Sequence, residues 1–319
     1  MERVVYLIRR VLEMVLVVLV VAVLNFTLIH LAPGDAAQFM AGGEAGPDYV
    51  SAIRREYGLD LPLHIQLGKY LWKFVQGDLG RSFTRGEQVT DIILARLPAT
   101  LLLMGPSLIL GAVLGTLGGA WAARYLGSKV DKTISGLSVA AYSVPVFWLG
   151  LILIYLFSVN LKWLPSSGMM SFLSEKRGLA DTLRHMVLPV FSLTVFYIGQ
   201  NIKVARASVA EAIREDYITT FRAAGFKENT IFFKHALRNA LLPIVSMTGM
   251  QFAYLTAGAV LTETVFSWPG MGQLMFQAVL ARDYPLIMGG YVLMSVMVVA
   301  FTFLVDLIYV VIDPRIELK

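Results

Sequence analysis

The chain contains no cysteine. That excludes disulfides, zinc–thiolate centres and iron–sulfur clusters together, without settling the compartment. Histidine is scarce, and His30, His64, His185 and His235 are scattered with no ligand-like spacing, so no metal site is expected. Charged side chains make up 15% of the residues, against about 25% in soluble domains. No G-x-x-x-x-G-K-[ST] run occurs, so the chain does not hold ATP by itself. H-E-x-x-H, G-x-S-x-G and paired catalytic carboxylates are missing as well. A non-catalytic chain with no cofactor of its own is expected. The net charge of +5 does not argue for nucleic acid, because Lys and Arg gather at the edges of apolar runs.

What is present is apolar: 57% of the residues are hydrophobic. Spanning a bilayer takes about 20 mostly apolar residues in helical form. Six runs qualify, near 11–31, 98–123, 134–158, 186–205, 241–261 and 286–311. The expected fold is therefore an all-α membrane protein with six transmembrane helices, divided into a first helix plus long loop (1–97) and a five-helix core (98–319). Arg3, Arg9 and Arg10 before the first run resemble a signal peptide. The run exceeds a secretory h-region and lacks a small-residue cleavage site, which favours an uncleaved first span. The basic residues of 1–10, 124–132, 203–238 and 315–319 outnumber those of the short loops 159–185 and 262–285. By the positive-inside rule both termini are expected in the cytosol.

The second span is expected to start at Pro98, and it carries Gly111, Gly115 and Gly119 in overlapping G-x-x-x-G spacing. Such spacing serves either packing within the bundle or a contact between subunits. Pro106 and Pro145 lie inside the second and third runs and favour kinks. Asp306 is near the end of the last run, where it reads as an interfacial anchor. No ionisable residue is clearly at mid-membrane. Carriers driven by protons or sodium need such groups, so the driving energy is expected to enter elsewhere.

Between the fourth and fifth runs, at about 206–240, the pattern turns amphipathic. Val209, Ile213, Tyr217 and Phe221 recur every four residues. Gly225 then interrupts, suited to a left-handed helix end, and Asn229 or Thr230 is placed to cap a second helix. A helix–turn–helix hairpin is expected, against the alternative of a helix lying on lipid headgroups.

This hairpin resembles the coupling loop of ATP-binding-cassette importer permeases, in the peptide and nickel branch. The resemblance rests on Asp216–Tyr217, on Ala223, Ala224 and Gly225, and on the run from His235 to Asn239, and it places Glu215 in the same loop. The Glu-Ala-Ala triplet of other importers is replaced by Thr219, Thr220 and Phe221, and their Ile-x-Leu-Pro is absent; both departures fit the peptide branch. PGD at 33–35, YGLDLPLHIQLGKYLW at 57–72, GDLGRSF at 77–83, LPAT at 97–100, LTETVFSWPGMG at 261–272, RDYP at 282–285 and VDLIY…DPR at 305–315 extend the likeness over nearly the whole chain. It implies a type I importer transmembrane domain in a bacterial or archaeal inner membrane. It also implies a second homologous permease, two cytosolic ATPases carrying ATP and magnesium, and an extracytoplasmic solute-binding protein. The cargo it implies is di- or oligopeptides, with nickel chelates or glutathione-like solutes as the alternative. A self-contained secondary carrier and a non-transporting scaffold are the rivals from other classes.

Residue roles follow as expectations. Tyr217 and Phe221 enter a groove on the ATPase with Arg222 at the rim, while Thr220 and Asn239 belong to the same loop and His235 braces it with a hydrogen bond. Polar or small positions Ser143, Asn201, Ser246, Thr248 and Gln251 are candidates to line the path. Loop 32–97 reads as two short helices around Pro62, whose Tyr70, Trp72 and Phe74 meet either the membrane surface or the binding protein. Trp268, beside Pro269, reads as an interfacial anchor, or, as the resemblance implies, its loop faces incoming substrate; Trp268 and Pro269 are, with Trp72, candidates to contact the binding protein.

Overall fold

The computed structural model describes residues 2–31, 37–38, 45–56, 58–171, 178–253 and 260–312. The motif at 33–35 and the tail 313–319 lie outside the described residues, as do the side chains of Arg3 and Asp306. The described residues are helical apart from turns, loops and one isolated antiparallel bridge between Arg81 and Gln88. In chain order the helices are α1 (Glu2–Leu31), α2 (Pro47–Glu56), α3 (Leu63–Val75), α4 (Val89–Arg124), α5 (Lys129–Ser143) and α6 (Val146–Leu153), which continues as a π-helix over Ile154–Asn160. Then come α7 (Leu179–Ala212), α8 (Asp216–Ala223), α9 (Glu228–Thr230), a π segment at Ile231–Ala236, α10 (Leu237–Ala253), α11 (Val260–Val265), α12 (Met271–Leu280) and α13 (Tyr284–Ile312).

Helices α1, α4, α7 and α13 are each long and apolar enough to cross a membrane. A fifth crossing exists if α5 and α6 form one span, but the two halves meet at 91°. The kink expected at Pro145 within the 134–158 run is found as this bend. Pro145 supplies no N–H to the helix ladder, and it holds Val144 extended (φ −75, ψ 125). Pro98 and Pro106, by contrast, sit inside the 36 residues of α4 without ending it. The helix begins at Val89, so Pro98 does not start it.

The α4–α7 contact is the spine of the bundle. Gly111, Gly115 and Gly119 of α4 face Tyr197, Asn201 and Ala205 of α7, and a methyl group on any of the three would come within 2.6 Å of its neighbour. The G-x-x-x-G pattern therefore serves packing within the chain, where small residues let two helix backbones touch. At one end of this spine, Val89, Ile92 and Ile93 pack with α12 and the start of α13. At the other, Ala120 and Ala123 pack with residues 209–240. Helix α1 lies against α13, and α3 lays Tyr70 and Phe74 onto that pair.

Candidate functional site

At the 209–240 end, the chain leaves α7, turns at Ile213–Glu215 and enters α8. Glu215 is extended (φ −66, ψ 148) at the N-cap but makes no side-chain cap. Ile218 is fully buried against Val209, Ala212, Ile231 and Phe232, which seats the hairpin on the tip of α4. After Ala223 the helix closes with paired bonds from Phe226 N to Phe221 O (3.1 Å) and from Gly225 N to Arg222 O (3.0 Å). This is the Schellman arrangement, and it needs a left-handed residue at its turn; Gly225 has φ +78. The hydrophobic contact that accompanies the motif is present, with the Phe221 and Phe226 rings 5.2 Å apart.

Three further contacts hold the hairpin. Arg222 forms a forked pair with Glu228 across the turn (Nε–Oε1 2.7 Å, Nη2–Oε2 3.2 Å). Each partner stabilises the other's charge, mainly through that hydrogen bond, so Arg222 is raised and Glu228 lowered from their ordinary pKa values. His235 stacks on Phe221 with ring centroids 3.9 Å apart. Arg124, at the end of α4, donates to Asn229 Oδ1 (2.6 Å) and lies over the Phe232 and Phe233 rings. Thr220 bonds back to Asp216 O (3.3 Å), and Asn239 is exposed. Behind the hairpin a cavity of about 860 Å³ is lined by Asp131, Lys132, Arg206, Arg214, Glu215 and Asp216. Its wall is tied by a forked Arg206–Asp131 pair joining α7 to α5.

The geometry sharpens three expectations here. Tyr217 and Phe221 are half-buried, packed against the chain's own core. The exposed aromatics are Phe226 (46%) and Phe233 (54%), because the turn at Ile213–Glu215 rotates the apolar face of α8 inward. His235 braces the hairpin by stacking rather than by the expected hydrogen bond. Neither Asn229 nor Thr230 caps the second helix; its N-cap is Lys227, without a side-chain bond.

In the middle of the bundle, Asn201 is sealed between α7 and α10. Its Nδ2 donates to Tyr197 O (2.9 Å) and Gln251 Oε1 (3.1 Å), while Gln251 Nε2 donates to Gln200 Oε1 (3.0 Å). Thr248 reaches Asn201 Oδ1 at 3.4 Å. Three of the five path candidates thus meet in one polar seam, which Gln200 extends. Asn201 is fully buried, so it does not face an open path in this conformation. Ser246 bonds back to Leu242 O on its own helix, and Ser143 is exposed at the α5–α6 bend, apart from the seam.

At the far end two buried carboxylates join segments distant in sequence. Glu263 accepts from Thr100 Oγ1 (3.0 Å) and Gln273 N (2.8 Å), and Thr100 Oγ1 accepts from Met271 N (2.7 Å). Burial pushes the Glu263 carboxyl above its ordinary pKa, against the opposing pull of these bonds. Asp283 accepts from Ser82 Oγ, Thr84 Oγ1 (2.7 Å), Phe83 N and Thr84 N (both 3.1 Å). Trp268 is fully buried and donates its indole N–H to Ala99 O (2.8 Å). It is a core residue, so the interfacial-anchor reading of its side chain is corrected; Pro269 beside it is half-buried. Among the described residues no cluster of three or more His, Asp or Glu forms a metal cage.

Residues 115–318 match the family described as the binding-protein-dependent transport system inner membrane component, and residues 3–104 match the N-terminal part of such a membrane component. The chain belongs to this family. Among curated relatives, the oligopeptide transport system permease protein AppB of Bacillus subtilis is 38% identical over 98% of this chain and 99% of its own. The di/tripeptide transport system permease protein DppB of Pseudomonas aeruginosa is 39% identical over 93% and 94% of the two chains. Among solved structures, a chain from the inward-facing methionine ABC transporter MetNI superposes with a TM-score of 0.56 at 19% identity, covering 70% of this chain and 97% of that one. The two chains share a fold, and the family match gives this one the place of an inner membrane component.

Within this family member the loop motifs read from the sequence pair in space. LPAT meets LTETVFSWPGMG through Thr100–Glu263 and Ala99–Trp268, and GDLGRSF meets RDYP through Ser82–Asp283. The motifs stand out in the amino-acid order, but the pairing of Glu263 and Asp283 and the exposure of Phe226 and Phe233 do not. The available signal was an acid in one motif and a hydroxyl in another, which nothing local connects.

Proposed function

We propose that the chain is one membrane half of an ATP-driven peptide importer in a bacterial or archaeal cytoplasmic membrane, with residues 215–239 as its coupling element. It crosses six times with both ends in the cytosol, the bent α5–α6 pair and the 241–261 run supplying the spans beyond the four long helices. A second, homologous permease completes the path, two ATPases dock beneath, and a solute-binding protein delivers cargo from outside. The observation that carries this reading is the hairpin. It is closed by Gly225, clamped by Arg222–Glu228 and rooted on the tips of α4 and α7, and it presents two unburied phenylalanines. A rigid projection of this kind suits a soluble partner that pulls on it: load on the hairpin reaches the α4–α7 spine directly and rocks the bundle about a central path. The names of the relatives support peptides as cargo.

The test is uptake of a radiolabelled tripeptide by proteoliposomes holding the full set of subunits. Wild type accumulates peptide with ATP; Phe226→Ala with Phe233→Ala inserts normally but loses most uptake, and the ATPases dissociate from it. Undiminished uptake by the double variant, or accumulation by this chain alone without ATP, sinks the reading.

A further inference from the structure

Helices α5 and α7 run antiparallel and meet at Gly199 and again at Arg206. Gly199 lies so close to the α5 backbone that an added methyl would fall 2.7 Å from Ser138 O and 2.9 Å from Tyr142 N. Arg206 forks onto Asp131, Nη2 donating to Oδ2 at 2.8 Å and Nε to Oδ1. The steps from Gly199 to Arg206 and from Ser138 to Asp131 are each about two helical turns, so both contacts share one face of each helix. The contacts differ in kind. A glycine permits close approach but does nothing to stop α5 sliding or turning along α7. A forked guanidinium–carboxylate pair fixes distance and angle together. Asp131 is 3% exposed and also accepts from Gly127 N (2.8 Å) and Ser135 Oγ (3.3 Å). One carboxylate thus ties the α4–α5 turn, the start of α5 and α7.

Arg206 stands less than two turns before α7 gives way to the hairpin. Asp131 stands in the first turn of α5, which ends at the 91° bend. Past the bend, α6 packs elsewhere: a methyl on Gly150 would come within 2.9 Å of the Phe266 ring, and Leu153 packs with Leu188 and Phe266. Among the described residues, none of α5 belongs to the apolar core of the hairpin. The cavity of about 860 Å³ opens instead between Asp131 and Lys132 of α5 and Arg214, Glu215 and Asp216 at the hairpin's entry. A push on the hairpin therefore reaches α5 through α7 rather than across that space. We infer that Arg206 and Asp131 are positioning residues for transport, the tie that makes α5 and its bend follow the hairpin. Without it, α7 would move with the ATPases while α5, with the path candidate Ser143 at its end, lagged behind. The inference rests on the hairpin's being the coupling element.

The test uses the complete transporter in proteoliposomes, with a radiolabelled tripeptide as cargo and ATP hydrolysis measured alongside. The chain has no cysteine, so Asp131→Cys with Arg206→Cys introduces the two thiols it then carries. Removing both partners leaves no unpaired charge, and the exposed Gly127 N meets water in place of the carboxylate. This double variant should unfold at the wild-type midpoint, bind the ATPases and hydrolyse ATP. Its uptake per ATP should fall about tenfold, the size of an ordinary coupling free energy. A short bis-methanethiosulfonate bridging the two thiols, with the bridge verified by mass, should restore uptake, and dithiothreitol should remove it again. The bridge returns a mechanical tie but no charge, so a purely electrostatic role would not respond to it. Full coupling in the unbridged variant overturns the inference. Lost uptake that the bridge does not return overturns it as well, and so does lost ATPase binding, which would make the pair a support of the fold alone. A wild-type complex that accumulates no peptide with ATP fails the importer reading instead, and this inference with it.

Discussion

The two ends of the α4–α7 spine are held by opposite means. The hairpin end relies on an exposed ion pair, a glycine turn and stacked rings, and leaves Phe226 and Phe233 in the open. The far end relies on Glu263 and Asp283, both fully buried and bonded to segments more than 150 residues away. Exposed pairs contribute little because water and salt screen them. A buried carboxylate with several donors is hard to remove, because its partners are stranded when it goes. The contrast teaches that the far end is tied across the whole chain, whereas the hairpin is a firm local unit with two bare aromatic rings on its surface.

Removing the buried staples should have the largest effect on the fold. Asp283→Ala strands the donors of residues 82–84 and should cost about 3 kcal/mol, read as a lowered unfolding midpoint in lipid nanodiscs. Glu263→Ala should cost nearly as much. Gly270→Ala should destabilise in the same direction but by less, because an added methyl falls 2.3 Å from Glu263 Oε1 and pushes the carboxylate off its donors. If these variants melt like wild type, the far end is not held as described.

Gly225→Val comes next. A β-branched residue at φ +78 costs about 1–2 kcal/mol locally. The rest of the chain should unfold normally, while hydrogen exchange speeds up in 216–230 alone. Loss confined to that segment would confirm that the hairpin is a separable unit; a global shift would deny it. Phe226→Ala and Phe233→Ala should leave stability within about 0.5 kcal/mol, as surface substitutions do. Affinity for the ATPases should nonetheless fall by at least tenfold, measurable by pull-down titration.

The smallest and sharpest distinction is the response to acid. Glu228 is lowered below 4.5 in the folded hairpin. Its contribution is therefore complete above the unfolded carboxylate value and is lost as pH falls through the folded one. Glu263 is raised above 4.5. Its contribution is complete below the unfolded value and declines as pH rises toward the folded one. Acidification should thus loosen protection in 216–230 in wild type but not in Glu228→Gln. Over the window just above 4.5 it should firm the far end in wild type but not in Glu263→Ala. Parallel responses at the two ends would erase the distinction.

How much was legible follows the range of each signal. Gly225 could be read as a turn because a left-handed residue is a local demand. The glycines of α4 could be read as a packing seam because their spacing matches one helix face. The 91° bend at Pro145 was legible only as a kink, since the angle depends on what α5 and α6 pack against. The inward turn of Tyr217 and Phe221, the burial of Trp268 and the sealing of Asn201 were not legible. Each depends on a surface contributed by another helix: α4 for the first two, α10 for the last.

By itself the amino-acid order determined the helical class, the long apolar helices, the hairpin turn and the family, because hydropathy, glycine geometry and short motifs act over a few residues. Only the tertiary structure decided which aromatics of the hairpin are bare and which carboxylates are staples. Those outcomes depend on which distant atoms displace water from a side chain, and burial is a property of the whole packing rather than of any segment.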